Sequence, residues 1–520
     1  MTRSRISIIV ASVAILCAVV TTCACGGDKP KPNPEFKRYN SGLSFQSMLA
    51  SPGTTFTVPY DILLPEDYVS NPERRYPVVY MLHGYGDDNT SWNGQWMQGA
   101  AKIMSLEKQA DLEPMIYVFP MGWKTYYSNY YDGTFCYMDM FVQELIPYID
   151  GQYRTIADRG HRAVVGYSMG GFGAMVLPMK HPEMFSVSVP LSMSFRTDEQ
   201  YMTESADGWN EQWGKIFGGA GQSGKNRITD YYKQHCPFYQ FVSGNKETLS
   251  TVNWFLTCGD NEEQLLVAND ALHQLMRDNG YDHEFRVGDG GHSSSYWRTA
   301  LEEVMPYIQH CFSGGGKWNY SNVDVTVPTV TYEADGVFLS KAYKEAAAPD
   351  GNAIFLFHNG LLADQVAKMV SVLQGTRDNK QFAILPCNLN EKSLADWITL
   401  YETKYKVGGV PDKRRAIAVG LAGKQVFASQ NLFSALYFES AAVADDLTNL
   451  QLIKGKFYYM GQSDEGAYHH DIGSLYKACR LLYKEKEEVS MFEYRCRNYA
   501  GDPEKDLLEG MQAVVTCMKY

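Results

Sequence analysis

Positive charge is scarce in this chain: 47 Lys and Arg stand against 59 Asp and Glu, a formal net charge of -12. With no basic stripe anywhere, that balance argues against nucleic acid and against anionic membrane surfaces as partners. Metal-like cysteine spacing is missing too. Of the 11 cysteines, Cys17, Cys23 and Cys25 fall in the leader and the others are scattered, so no metal site and no disulfide pairing can be drawn. A dinucleotide fingerprint is also absent, and neither metal nor cofactor is expected. Nor is there an apolar run of membrane-spanning length. Residues 6–20 are apolar but short and follow Arg3 and Arg5, as in a secretory signal peptide. The run ends in Thr21-Thr22-Cys23-Ala24-Cys25. A small residue before Cys resembles a lipobox, in which the thiol is acylated and becomes the mature N-terminus. Cys25 is the expected lipidation site and Cys23 the alternative. Polar residues 28–34 then read as a tether. Membrane contact is expected through this anchor only, in a secreted lipoprotein facing the periplasm or the cell surface.

What is present is globular. At 520 residues, 45% of them hydrophobic, the chain is long enough for two domains. In the first half, short strand-like runs such as the wholly apolar 78–82 (VVYML), 115–119, 163–165 and 254–258 alternate with amphipathic stretches at 140–149 and 265–276. Short strands buried on both faces, alternating with helices, predict a doubly wound α/β fold. Residues 313–317 (SGGGK) read as a linker. After it, motifs recur in order: VYMLHG (79–84) and IFLFHNG (354–360), IYVFP (116–120) and FAILP (382–386), HRAVVG (161–166) and RRAIAVG (414–420), FLTCG (255–259) and YYMG (458–461). Such ordered self-similarity predicts a second, smaller copy.

Residues 163–174 read AVVGYSMGGFGA, the G-x-S-x-G nucleophile elbow set between an apolar strand and a small-residue helix start. Ser168 is the expected nucleophile; Gly166 and Gly170 keep side chains away from a strained turn. A serine needs a base. His292, on the Gly-rich loop 288–293, follows strand-like 284–287 and is the expected one, in preference to His181, His235, His273, His283 and His310. The acid is open: Asp260, Glu262 and Glu263 follow the strand ending at Cys258, Asp289 is more distant, and Asp260 is favoured by the commonness of Asp in this role.

The motifs LHGYGDD (82–88), GYSMGG (166–171), C-G-x-x-E (258–262) and G-G-H-x-x-x-x-W (290–297) resemble the esterase D-type esterases. That family includes feruloyl and acetylxylan esterases of carbohydrate esterase family 1, S-formylglutathione hydrolases, mycolyltransferases and siderophore esterases. The resemblance covers roughly residues 55–312. It implies an α/β-hydrolase fold and places the acid three residues after the strand-ending glycine, hence Glu262. It also implies an oxyanion hole from the backbone amides of Tyr85 and Met169, with His83 holding the loop.

The chain therefore divides into a lipoprotein signal peptide (1–25), a tether and N-terminal extension (26–54), a catalytic α/β-hydrolase domain (55–312), a linker (313–317) and a smaller, inactive α/β-hydrolase-like domain (318–520). Between Gly166 and Gly259, an insertion carrying Trp209, Trp213, Tyr231, Tyr232, Phe238, Tyr239 and Phe241 reads as a cap over the site. The second copy lacks it, so any cleft there should be shallow. Ala422 is expected where Ser168 stands, and no His lies near 498–502. The expected activity is hydrolysis of carboxylic esters, feruloyl or acetyl groups on plant polysaccharide, through an acyl-enzyme. A siderophore esterase or an acyltransferase is the alternative, and a non-catalytic glycan-binding lipoprotein the rival of another class; a homo-oligomer is open.

Overall fold

A computed structural model describes residues 36–497, apart from 110–111, 317, 319–332, 334, 347–350, 375–381, 442, 444–450, 454–455 and 464–491. The leader with Cys23 and Cys25 and the segment 498–502 lie outside the described residues.

The first half contributes strands β1 (Tyr39–Ser47), β2 (Phe56–Leu63), β3 (Val78–Leu82), β4 (Ile116–Pro120), β5 (Arg162–Tyr167), β6 (Val187–Leu191), β7 (Asn253–Gly259) and β8 (Glu284–Gly288). From β3 to β8 all are parallel, while β1 and β2 run antiparallel at the edge. Parallel strands need crossover helices, which cover both faces. That is why VVYML can be apolar throughout. Val78, Tyr80 and Leu82 enter one core with Phe172 and Met175, while Val79 and Met81 enter the other with Ile103, Leu301 and Ile308. Each buried aliphatic side chain contributes about 1.5–3 kcal/mol. The α/β-hydrolase expectation holds.

The second half supplies β9 (Phe338–Leu339), β10 (Ala353–His358), β11 (Ala383–Asn388), β12 (Arg414–Val419), β13 (Ala435–Glu439), β14 (Phe457–Ser463) and β15 (Phe492–Arg497). Its order, β9-β11-β10-β12-β13-β14-β15, repeats β2-β4-β3-β5-β6-β7-β8, strand for strand and direction for direction. The two halves do not form separate sheets. β15 pairs antiparallel with β8, Cys496 opposite Val287, giving one 15-stranded sheet. At Arg286 and Val287 the edge of β8 is closed by Arg497 and Cys496.

Backbone registers correct two of the sequence matches. Ser168 has φ 57° and its N–H donates to Leu191 O at 3.0 Å. Gly420 has φ 60° and donates to Glu439 O at 3.4 Å. The counterpart of Ser168 is therefore Gly420, and Ala422 lies two residues on, as the first residue of the helix Ala422–Ala428. Likewise Ser192 (φ 47°) donates to Thr257 O and Ser440 (φ 44°) to Gly461 O, so Gly461 matches Thr257 rather than Gly259. Apolar strings that alternate in size tolerate a two-residue slip; backbone pairing does not. On that register Val287 and Cys496 are counterparts of each other, so the junction pairs equivalent positions, as a two-fold contact between subunits does.

A cavity of about 440 Å³ opens at the C-terminal ends of β10 and β11, lined by His358, Pro386 and Asn388 among others.

Candidate active site

β5 delivers Ser168 to the C-terminal edge of the sheet, where the chain turns sharply into the helix Met169–Lys180. At φ 57°, ψ -117° Ser168 is held in a conformation that L-residues rarely adopt. The turn tolerates no bulk: a Cβ on Gly170 would sit 2.3 Å from Leu82 O, and one on Gly166 2.1 Å from Gly170 O. Ser168 O in turn accepts the amide of Ser194 at 2.9 Å.

Three of the predicted residues meet here. His292 Nδ1 lies 2.6 Å from Glu262 Oε2, and His292 Nε2 lies 2.9 Å from Ser168 Oγ. A carboxylate only accepts, so the ring proton on this side belongs to Nδ1. Nε2 is then the acceptor for the serine hydroxyl. Trp297 meets the imidazole edge-on at 4.9 Å, fixing the ring plane. Glu262 is buried. Its Oε1 accepts the Gly259 amide at 2.9 Å and the Ser192 hydroxyl at 2.5 Å, and Trp297 Nε1–H donates to Ser192 Oγ at 2.9 Å.

Asp260 occupies a different place. Buried behind the histidine loop, its Oδ1 accepts the Gly290 amide at 3.2 Å and the Asn261 side chain at 2.9 Å. It holds the loop rather than the imidazole. Asp289 is exposed at the tip of that loop, and the Glu263 side chain lies outside the described residues.

Met169 opens its helix, so its N–H is one of the donors that a helix start leaves without a carbonyl. Tyr85 follows Gly84 on the loop after β3. That loop is pinned by His83: Nδ1–H donates to Gly84 O at 2.8 Å, Gly122 N–H donates to Nε2 at 2.8 Å, and the Tyr127 hydroxyl donates to the His83 carbonyl at 3.0 Å. Burial pushes the His83 pKa down, keeping the ring neutral as both bonds require.

The cap helices between 198 and 249 pack on their own aromatics. Trp209, Trp213, Tyr232 and Phe241 are buried, with Trp213 stacked against Phe217, while Tyr231, Phe238 and Tyr239 are half-buried. Two contacts to Glu211 tie this cap to the loops after β3 and β4: Lys124 lies 3.4 Å from it and the Tyr85 hydroxyl 3.4 Å, with Lys124 also 4.6 Å above the Tyr85 ring. Ser192, Lys124 and Glu211 were not singled out in the sequence. Each is an ordinary polar residue outside any motif, and no local signal marks it. Among the described residues no cluster of three or more His, Cys, Asp or Glu is placed to hold a metal ion.

Residues 51–308 match the model of the family described as "Putative esterase". An endo-1,4-beta-xylanase/feruloyl esterase of Xylanibacter ruminicola is 32% identical over 172 residues, covering 31% of this chain and 23% of that protein. An esterase of Mycobacterium tuberculosis is 28% identical over 249 residues, covering 45% of this chain and 52% of its own. A solved ferulic acid esterase structure is 28% identical, with a TM-score of 0.43, and covers 53% of this chain and 99% of that one. The chain thus spans about half or less of the length of these two curated relatives.

Proposed function

We propose that this chain, whose residues 51–308 match the family described as "Putative esterase", is a serine carboxylic ester hydrolase acting on feruloyl or acetyl esters of plant polysaccharide. The observation that carries the reading is the relay Ser168 Oγ, His292, Glu262, with contacts of 2.9 and 2.6 Å. His292 Nε2 takes the proton as Ser168 Oγ attacks the ester carbonyl. Glu262, buried and acceptor-only, stabilises the imidazolium that forms. The amides of Met169 and Tyr85 receive the oxyanion, where donors held in place before the reaction contribute most. The imidazolium then protonates the leaving alcohol, and water, deprotonated by the same histidine, releases the acid from the acyl-serine.

The preference for polysaccharide esters rests on the Xylanibacter ruminicola relative, whose name joins a xylanase to a feruloyl esterase. It also rests on the leader, where lipidation at Cys25 would hold the enzyme outside the cell, beside polymeric substrate. The test is turnover of methyl ferulate, acetylated xylan and 4-nitrophenyl acetate by the wild type and by Ser168→Ala. The variant should lose on the order of a thousandfold or more in kcat with its fold intact. Retention of a tenth of wild-type turnover would exclude Ser168 as nucleophile. Failure on both ferulate and acetylated xylan, with 4-nitrophenyl acetate still cleaved, would move the substrate class.

A further inference from the structure

In the first half, the space above the C-terminal ends of β3 and β4 is filled by two long connections. Residues 83–98 bring in buried Trp92, and residues 121–136 bring in buried Tyr126 and Tyr127. In the second half the corresponding connections are the short segments 359–362 and 389–393. What their loss uncovers is the cavity of about 440 Å³ over β10 and β11, a size suited to a small ligand.

Its wall carries a changed histidine. On the shared register His358 corresponds to His83. His83 uses both ring nitrogens on backbone groups. His358 Nδ1 accepts the Leu361 amide at 3.3 Å, which puts its proton on Nε2, and Nε2–H meets no partner among the described residues. The amide that would match Gly122 N, that of Leu389, donates instead to the His358 carbonyl at 2.8 Å. Burial lowers the His358 pKa, so the ring is neutral. Beside it, Glu391 is oriented by the Asn388 side chain, which donates to Oε1 at 2.9 Å. Leu361 and Pro386 supply an apolar strip to the lining of the same cavity.

We propose that this pocket binds a neutral sugar of one or two rings, its hydroxyls bonding to His358 Nε2–H and Glu391 and its C–H face lying on the apolar strip. The charges favour such a ligand over an anion. Glu391 and Asp335 are acidic, the imidazole is neutral, and the nearby cations are engaged, Lys404 on Asp335 at 2.6 Å and Lys392 over the Trp397 ring at 4.8 Å. Lys392 already stands over the Trp397 indole, in the place a ligand cation would take, and Tyr401 is stacked on the same ring. The choice of sugar over other neutral polyols rests on the polysaccharide-ester reading.

The full chain is to be titrated calorimetrically with xylose, arabinose and xylobiose, and with tetramethylammonium and glucuronate as charged controls. Saturable binding of a neutral sugar with a dissociation constant of about 1 mM is expected. Glu391→Gln and Ala363→Trp, the latter filling the cavity from its rim, should each weaken it at least about tenfold while 4-nitrophenyl acetate turnover stays at the wild-type value. No saturable binding, binding unchanged by both variants, or a stronger response to either charged control overturns the proposal. Loss of sugar binding in the variants of a chain that cleaves no ester would uphold the pocket and sink the esterase reading.

Discussion

Ser192 Oγ lies 2.5 Å from Glu262 Oε1, and both side chains are buried. Because Trp297 Nε1–H donates to the same hydroxyl, Ser192 must direct its own proton to the carboxylate. The charge that faces His292 is therefore stabilised from behind by a serine and, through it, by a tryptophan. Ser192→Ala leaves Oε1 with the Gly259 amide. Losing one hydrogen bond to a buried charge costs about 1.5–3 kcal/mol, so kcat should fall roughly ten- to hundredfold with KM little changed.

Glu262→Gln and Asp260→Asn separate the two buried carboxylates. Gln at 262 keeps the shape but presents a neutral amide to Nδ1–H, and turnover should fall by orders of magnitude. Asn at 260 keeps an oxygen for the Gly290 amide, so a change of less than about tenfold is expected. Steady-state kinetics on 4-nitrophenyl acetate decides between them; the reverse ranking would reassign the acid.

The elbow was legible because its glycines answer a steric demand that nothing else meets, and His292 because a Gly-rich loop after a strand is where the fold needs it. The acid was not legible from spacing alone. Asp260, Glu262 and Glu263 fall within four positions, and only the turn after β7 decides that Glu262 faces the imidazole while Asp260 faces the loop backbone. Ser192 carries no motif; its value comes from φ 47° at the end of β6, which turns it toward β7. In the second half the strands were legible and their register was not. RRAIAVG and HRAVVG match equally well at neighbouring offsets, and the Gly420–Glu439 backbone bond is what fixes Gly420 as the counterpart of Ser168. That the halves share one sheet had no sequence signal, since pairing of β8 with β15 is a contact between backbones.

Acid should loosen the cap. His235 is buried in it, stacked on Tyr231 at 4.1 Å with Nδ1–H donating to the Tyr231 carbonyl, and burial pushes its pKa down to about 4. Because the folded pKa lies below the ordinary value of 6.5, the stability this group contributes is complete above pH 6.5. It is lost as pH falls toward 4, since the unfolded chain takes up the proton first. The loss reaches an upper bound of about 3 kcal/mol. Denaturant unfolding followed from pH 7 to pH 4 should show a steeper decline for the wild type than for His235→Phe. Parallel curves would remove His235 from the account.

The junction of the two halves bears on catalysis through β8. Val287, opposite Cys496, is followed by Gly288 and then by the loop that carries His292. β15 is itself an inner strand, with β14 on one side and β8 on the other. Cys496 has a partner on each side, Gln462 of β14 and Val287 of β8, so a proline there removes a ladder donor and crowds the partner strand. Cys496→Pro should lower the melting temperature by several degrees, as a loss of a few kcal/mol does in a domain of this size. It should also reduce turnover by the molecules that remain folded, because β8 would hold the histidine loop from the β7 side alone. Leu339→Pro is the control. β9 is a two-residue strand at the far edge of the sheet, where proline is tolerated, and it lies beside β11 rather than near β8. Its turnover should equal that of the wild type. If Cys496→Pro lowers the melting temperature while turnover per folded molecule is unchanged, the second half steadies the sheet without positioning His292. If turnover falls and exogenous imidazole restores part of it, the lost step is proton transfer by His292, and the β8–β15 pairing is part of what keeps that ring within reach of Ser168.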